Sequence, residues 1–131
     1  MASSESAPTV LELIGLVVDQ VSGAEAIGHV DFGARHHQGG GIVHGGVYAH
    51  IIETIATIGS SAAVRERGQR TVGVNNQTDF LRPFSTGRVE VRAFPIQQGR
   101  TLQLWQVELT GPDGKLVARG QVRLFNQPLA P

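Results

Sequence analysis

One segment limits the folds open to this chain more than any other. Between Val43 and Val64 there is no Lys, Arg or Asp and a single carboxylate, Glu53. Val47, Ile51, Ile55, Ile58 and Ala62 recur at helical spacing, so 47–64 reads as one long helix with a wide apolar arc. The opposite arc holds His50, Glu53, Thr57, Ser60 and Ser61, with small Ala49 and Ala56 beside it. A solvent-facing arc normally carries several charges. This helix is therefore expected to be covered on both sides, by a sheet and by a second body.

The remainder reads as strands. Thr9 and Glu12 have capping-box spacing, which predicts a short helix from about Val10 that yields to a strand near Gly15. Ser22-Gly23 is a turn signal, and 24–32 alternates as a second strand. Six glycines and three histidines make 33–46 a loop. After the long helix, Gly68 closes a charged turn, and four strands are expected at about 71–81, 88–96, 102–110 and 116–125. Val89, Val91 and Ala93 alternate with Arg88, Glu90 and Arg92, the pattern of an antiparallel sheet with one buried face. The class is α+β.

Composition removes several functions. A chain of 131 residues fits one domain, read as a loose tail over 1–8 and a single folded unit over 9–131. Eleven basic and eleven acidic residues balance, which argues against nucleic-acid binding by bulk electrostatics. The absence of cysteine excludes disulfides and thiolate metal sites. No apolar run reaches membrane-spanning length, and Met1–Pro8 lacks the basic and apolar regions of a signal peptide. A cytoplasmic location is expected. Charged residues form only 17% of the chain, below the usual ~25%, which is consistent with a surface covered by a partner subunit.

The chemistry-bearing residues cluster around the helix. A lone carboxylate at Glu53 is costly unless it is hydrogen-bonded or lines a cavity, and Thr57, four residues on, is placed to hold it. His44-Gly45-Gly46 opens the helix with free N–H groups and the positive end of its dipole, suited to an oxyanion or a phosphate. His36, His37 and His44 lack the acids and the His-x-x-x-His spacing of a metal site, so no metal is expected. There is no phosphate-loop motif and no Gly-x-Ser-x-Gly. Trp105 and Phe94 read as packing residues.

With Gln38, the run from Gly41 to Ala49, Glu53 and Thr57, then Val72-Gly73, Asn76, Thr78, Phe80 and Arg82-Pro83, and finally Gly99-Arg100-Thr101 and Trp105, the chain resembles the hotdog-fold acyl-CoA thioesterases. It is most similar to the glutamate-using 4-hydroxybenzoyl-CoA branch within the phenylacetate-type family. The likeness runs from about Gly15 to Arg123. It implies a central helix wrapped by an antiparallel sheet, and homodimers that commonly pair into tetramers. It implies Glu53 as nucleophile or general base, the Gly45 N–H as oxyanion donor, and Gln38 and Thr57 as orienters. His44 would fix the loop or lie close to the substrate. Gly46, Asn76, Arg82, Arg100 and Thr101 are expected against substrate and CoA, the two arginines on phosphates with Thr101 assisting. No cofactor is expected beyond the CoA of the substrate, which would be an aromatic or medium-chain acyl-CoA.

Two positions depart from that pattern. His50 stands where a small apolar residue is commoner, and Arg100 where a hydroxyl residue is expected. The alternatives are a non-catalytic acyl-CoA-binding or interaction module, and an acyl-thioester dehydratase on the same fold. The latter's His-Phe-Pro pattern is missing. Helix geometry adds an expectation of its own. Gly45 and Glu53 are eight residues apart, about 12 Å along a helix. One thioester can reach both only if they come from different chains.

Overall fold

The computed structural model describes residues 6–129. Five residues of the expected tail, 1–5, lie outside that range; Ser6, Ala7 and Pro8 are exposed and without secondary structure. The elements are α1 (Val10–Ile14), β1 (Val17–Ser22), β2 (Glu25–Phe32), α2 (Gly45–Val64), β3 (Gln69–Phe80), β4 (Gly87–Gln98), β5 (Leu102–Thr110) and β6 (Leu116–Pro128). Short 3-10 turns cover Ala34–His36 and Arg65–Arg67. The strands form one antiparallel sheet in the order β1-β2-β4-β5-β6-β3, and α2 lies across one face of it. This is the helix-on-sheet architecture that the resemblance implied.

Local chemistry sets the boundaries. The Glu12 N–H donates to Thr9 Oγ1 at 3.2 Å and the Thr9 N–H donates to Glu12 Oε1 at 2.7 Å, the expected capping box. Gly15 ends α1 at φ 85°, a left-handed conformation that glycine adopts without a Cβ penalty. α2 begins two residues before the apolar periodicity does, because His44 caps it. β3 starts at Gln69 and β6 runs on to Pro128, since Gln69 and Pro128 pair with each other. Pairing across the sheet carries both strands beyond the ends visible in their own alternation.

Ile51, Ile52, Ile55 and Ala56 of α2 are fully buried against Val30, Val91, Trp105, Val107 and Val122 of the sheet. The helix sits close because Gly59 has no side chain: a Cβ there would fall 2.6 Å from the Trp105 ring. A buried polar chain anchors the ring. Trp105 Nε1 donates to Gln103 Oε1 at 2.8 Å, and Gln103 Nε2 donates to the Ser60 carbonyl at 3.1 Å and to Asn126 Oδ1 at 2.9 Å.

The polar arc of α2 differs from expectation. Ser60 is buried and Ser61 half-buried on the sheet side, both within hydrogen-bond distance of Thr71 Oγ1, at 2.6 and 2.9 Å. Glu53 is exposed, and His50, Thr54 and Thr57 are half-exposed. The sheet covers one side of the helix, and α1 makes a small further contact with it.

Gly59→Ala tests this seating. On an open helix the change gains about 1 kcal/mol from propensity; here the methyl group meets Trp105, and a net loss of about 1–3 kcal/mol is expected. Urea denaturation reads the difference.

Candidate active site

The helix entry is held in place by its cap. His44 Nδ1 accepts from the Gly46 N–H at 2.8 Å, and the Val47 N–H donates to the His44 carbonyl at 2.9 Å. The His44 N–H in turn donates to the carbonyl of buried His36 at 2.9 Å. An accepting Nδ1 leaves the proton of a neutral His44 on Nε2. The cap fixes the end of the loop, and Gly46 spends its N–H on it. Gly45 is the first helical residue, and its N–H has no acceptor among the described residues.

The loop before the cap is tied to the segment after β3. The Val43 N–H donates to the Phe84 carbonyl at 2.8 Å, His37 Nε2 lies 2.7 Å from the Ser85 carbonyl, and Ser85 Oγ donates to the Gly41 carbonyl at 2.8 Å. Gln38 projects from this loop, with Oε1 accepting from the Gly40 N–H at 3.0 Å. These ties hold Gln38 and Gly45 on the wall of one pocket of about 260 Å³, which Tyr48, Phe80, Leu81 and Arg82 also line. The Phe80 ring occupies the space of a Gly45 side chain, so that a Cβ would fall 2.5 Å from it. Tyr48 packs at 6.2 Å from Phe80 and edge-on to Phe32 at 5.8 Å, and burial pushes its phenol pKa up. The pocket is largely apolar, with Gln38, Tyr48 and Arg82 as the lining side chains that carry polar atoms.

Glu53 lies two turns further along α2, with its carboxylate against Gly73 of β3, 3.6 Å from where a Cβ would stand. Thr57 does not hold that carboxylate: its Oγ1 donates to the Glu53 backbone carbonyl at 2.8 Å, the usual back-bond of a helical threonine. The contact with the carboxylate that the spacing predicted is absent in the single chain. Asn76 is also engaged internally. Its Nδ2 donates to the Ala49 carbonyl at 2.9 Å and its Oδ1 accepts from Thr78 Oγ1 at 2.7 Å, so it braces β3 to α2 rather than presenting its amide to solvent.

The two arginines lie at opposite ends of the sheet. Arg82 follows β3, lines the pocket and donates to Asp113 Oδ2 at 3.0 Å, which lowers the Asp113 pKa. Arg100 and Thr101 are exposed in the β4–β5 turn, their carbonyls accepting from Asn126 side-chain and backbone N–H groups. Within one chain these arginines do not converge. Gly45 and Glu53 do not converge either: they lean on β3 at Phe80 and Gly73, seven residues apart, about 23 Å along a strand.

The Ser85 clamp escaped sequence reasoning, which had only the turn signals of 83–87 at that position. Tyr48 and Phe80 stood among the residues that carried the resemblance, but neither was assigned to a pocket.

Residues 40–118 match the family model of the thioesterase superfamily. The chain belongs to that superfamily. A Mycobacterium tuberculosis protein provisionally named an esterase is 47% identical over 93 residues, 70% of this chain and 66% of that relative, just under two thirds of its length. Its solved structure superposes with a TM-score of 0.89 at 40% identity, covering 92% of this chain and 98% of that one. The Arabidopsis thaliana 1,4-dihydroxy-2-naphthoyl-CoA thioesterase 2 is 31% identical over 88% of this chain and 77% of its own. A thioesterase structure from Haemophilus influenzae gives a TM-score of 0.87 at 28% identity, over 94% and 85% of the two chains.

The cap assignment is testable. His44→Ala should lose about 1 kcal/mol of stability in urea denaturation, whereas His44→Asn, which restores an acceptor at the cap, should keep most of it. Equal losses in both variants would show that the imidazole does more than cap.

Proposed function

We propose that two copies of this chain form shared sites that hydrolyse an acyl-CoA thioester, Glu53 coming from one copy and the Gly45 N–H from the other. The observation that carries this reading is the symmetry of β3. It is an edge strand of twelve residues, with no neighbour on its outer side among the described residues. Glu53 rests on Gly73 and Gly45 on Phe80, positions equally spaced about the Asn76–Gln77 bond. An antiparallel β3–β3 pair with its two-fold at Asn76 or Gln77 sets Gly73 of one copy diagonally beside Phe80 of the other. The two-fold then generates two equal sites. Family membership and thioesterase-named relatives, among them a proofreading thioesterase from Klebsiella pneumoniae, support thioester hydrolysis as the reaction.

In this arrangement the thioester oxygen takes the unpartnered Gly45 N–H, whose position at a helix start favours developing negative charge. The Glu53 carboxylate either attacks the carbonyl carbon or takes a proton from the water that does. The C–S bond then breaks, CoA leaves as the thiol once its sulfur regains a proton, and on the route of direct attack a water hydrolyses the acyl–Glu53 anhydride to the free acid and the carboxylate. Gln38 orients the ester from the same loop. The acyl group, aromatic or medium-chain, enters the pocket between Tyr48, Phe80 and Leu81. The same pairing carries Arg82 of the second copy toward the sheet end that bears Arg100 and Thr101, where CoA phosphates would bind. The reaction needs no metal or further cofactor. Two such dimers joining as a tetramer, in the cytoplasm, completes the proposal.

Thiol release from a panel of acyl-CoA esters tests the activity; a chain that binds them without release is a binding module. Glu53→Ala should lower kcat by about 10²-fold or more with the fold kept. Gly45→Pro removes the N–H at a first-turn position that proline tolerates, and an oxyanion donor is worth ~10²–10³-fold. Gly45→Ala is its control, since it also displaces Phe80 but retains the N–H.

Mixing inactive Glu53→Ala with inactive Gly45→Pro, then unfolding and refolding them together, should restore activity. The mixed dimer then has one intact site. Verified mixed dimers that remain inactive would reject the shared site.

A further inference from the structure

We infer that His50 is a positioning residue for Glu53, a neutral imidazole whose protonation quenches the carboxylate; the inference rests on the function proposed above. His50 precedes Glu53 by three residues on α2, a spacing that sets two Cβ atoms about 5–6 Å apart on one helix face. His50 is half-buried on the arc turned away from the sheet, and Glu53 is exposed on the neighbouring flank, beside Gly73 of β3. Thr54 Oγ1 lies 3.4 Å from His50 Nε2, one turn on. A hydroxyl donating there leaves the imidazole proton on Nδ1.

Little else charged faces the pair. Glu53 is the only carboxylate on α2, which has no Lys or Arg. Across the helix, β3 offers Gly73, Asn75 and Asn76; its charged residues Arg70 and Asp79 stand toward the strand ends, Asp79 beside Arg119 at 3.9 Å. Ahead of the helix, His44 has its Nδ1 occupied by the Gly46 N–H. A second copy docked along β3 would add its own His50 and Glu53 from its α2. Burial lowers the His50 pKa, and the Glu53 charge pulls it part of the way back up. The two groups therefore sense each other, and His50 is neutral at neutral pH.

The consequence has a definite sign. Above the His50 pKa, Glu53 is an unpaired carboxylate, available as nucleophile or base. As pH falls through that pKa, a cation appears beside it, and a carboxylate paired with a cation is a weaker base. The acid limb of kcat/KM then reports His50 rather than Glu53. A small apolar residue at this position, the commoner choice in the resemblance, would lack that limb.

Two measurements decide it. The first follows the His50 ring by NMR titration in the unaltered chain and in Glu53→Gln. Removing the carboxylate should lower the His50 pKa further, and an unchanged value would overturn the inference. The second records kcat/KM for benzoyl-CoA between about pH 4.5 and 8.5, with 4,4′-dithiodipyridine detecting the thiol. In His50→Gln and in His50→Ala the acid limb should move down by about one pH unit. A limb that stays in place while the NMR shift is seen would also overturn it. If the unaltered chain turned over no acyl-CoA at all, the proposed function would fall, and with it any role for His50 in that reaction. The NMR arm would still report whether the pair is coupled.

Discussion

The seam between α2 and β3 is the constraint on which the rest of the molecule depends. Thr71 receives Ser60 and Ser61, Gly73 receives Glu53, Asn76 holds the Ala49 carbonyl, and Phe80 lies over Gly45. Each contact requires a small or polar residue on one side. Seryl hydroxyls let the helix end approach Thr71, and two glycines make room where a side chain would push helix and strand apart. The seam thereby makes the helix a ruler laid along an edge strand, with Glu53 and Gly45 at fixed marks on it. Trp105 under Gly59 sets the height of that ruler above the sheet.

Much of this was legible in the sequence, for identifiable reasons. β5 was read end to end, because Gln103, Trp105, Val107 and Leu109 alternate with half-exposed residues and turn signals bound both ends. α2 was legible from its missing charges. Its first turn was signalled only by His44-Gly45-Gly46, because the cap is an imidazole accepting from an N–H, a chemistry that the usual Ser, Thr, Asp and Asn signals do not cover. The ends of β3 and β6 were misread for a different reason: their last residues are strand only through each other.

The site divides along the same line. His44 and Gly45 were read from the local sequence as the helix entry, and that is where they stand. Roles that depend on where a side-chain hydrogen bond goes were not legible there. Thr57 has the right spacing to reach a carboxylate, but the backbone carbonyl of the same residue is nearer and needs no rotamer change. Asn76 was grouped with substrate contacts, yet both ends of its amide close inside the chain. Arg82 and Arg100 read alike as arginines beside turns, and only the strand order separates them.

The low charge of α2 and the free edge of β3 are two aspects of one arrangement. An unpaired edge strand is a hazard that proteins usually blunt with lysine, proline or a bulge. β3 has a bulge between Gly73 and Asn75, but it also exposes Val72, Val74 and Phe80 over twelve residues and contains no lysine or proline. Beside it, the outward face of α2 shows Gly46, His50, Thr54 and Thr57 rather than charges. A surface meant for water would gain from changing both, since exposed charges on the helix and a lysine on the strand cost almost nothing there. A surface meant for a second copy would gain from neither: a charge would be buried without a partner, and a lysine would break a ladder. The same reasoning explains why a single acid is retained. Under the proposed pairing, Glu53 is the one charge on that face that the reaction would use.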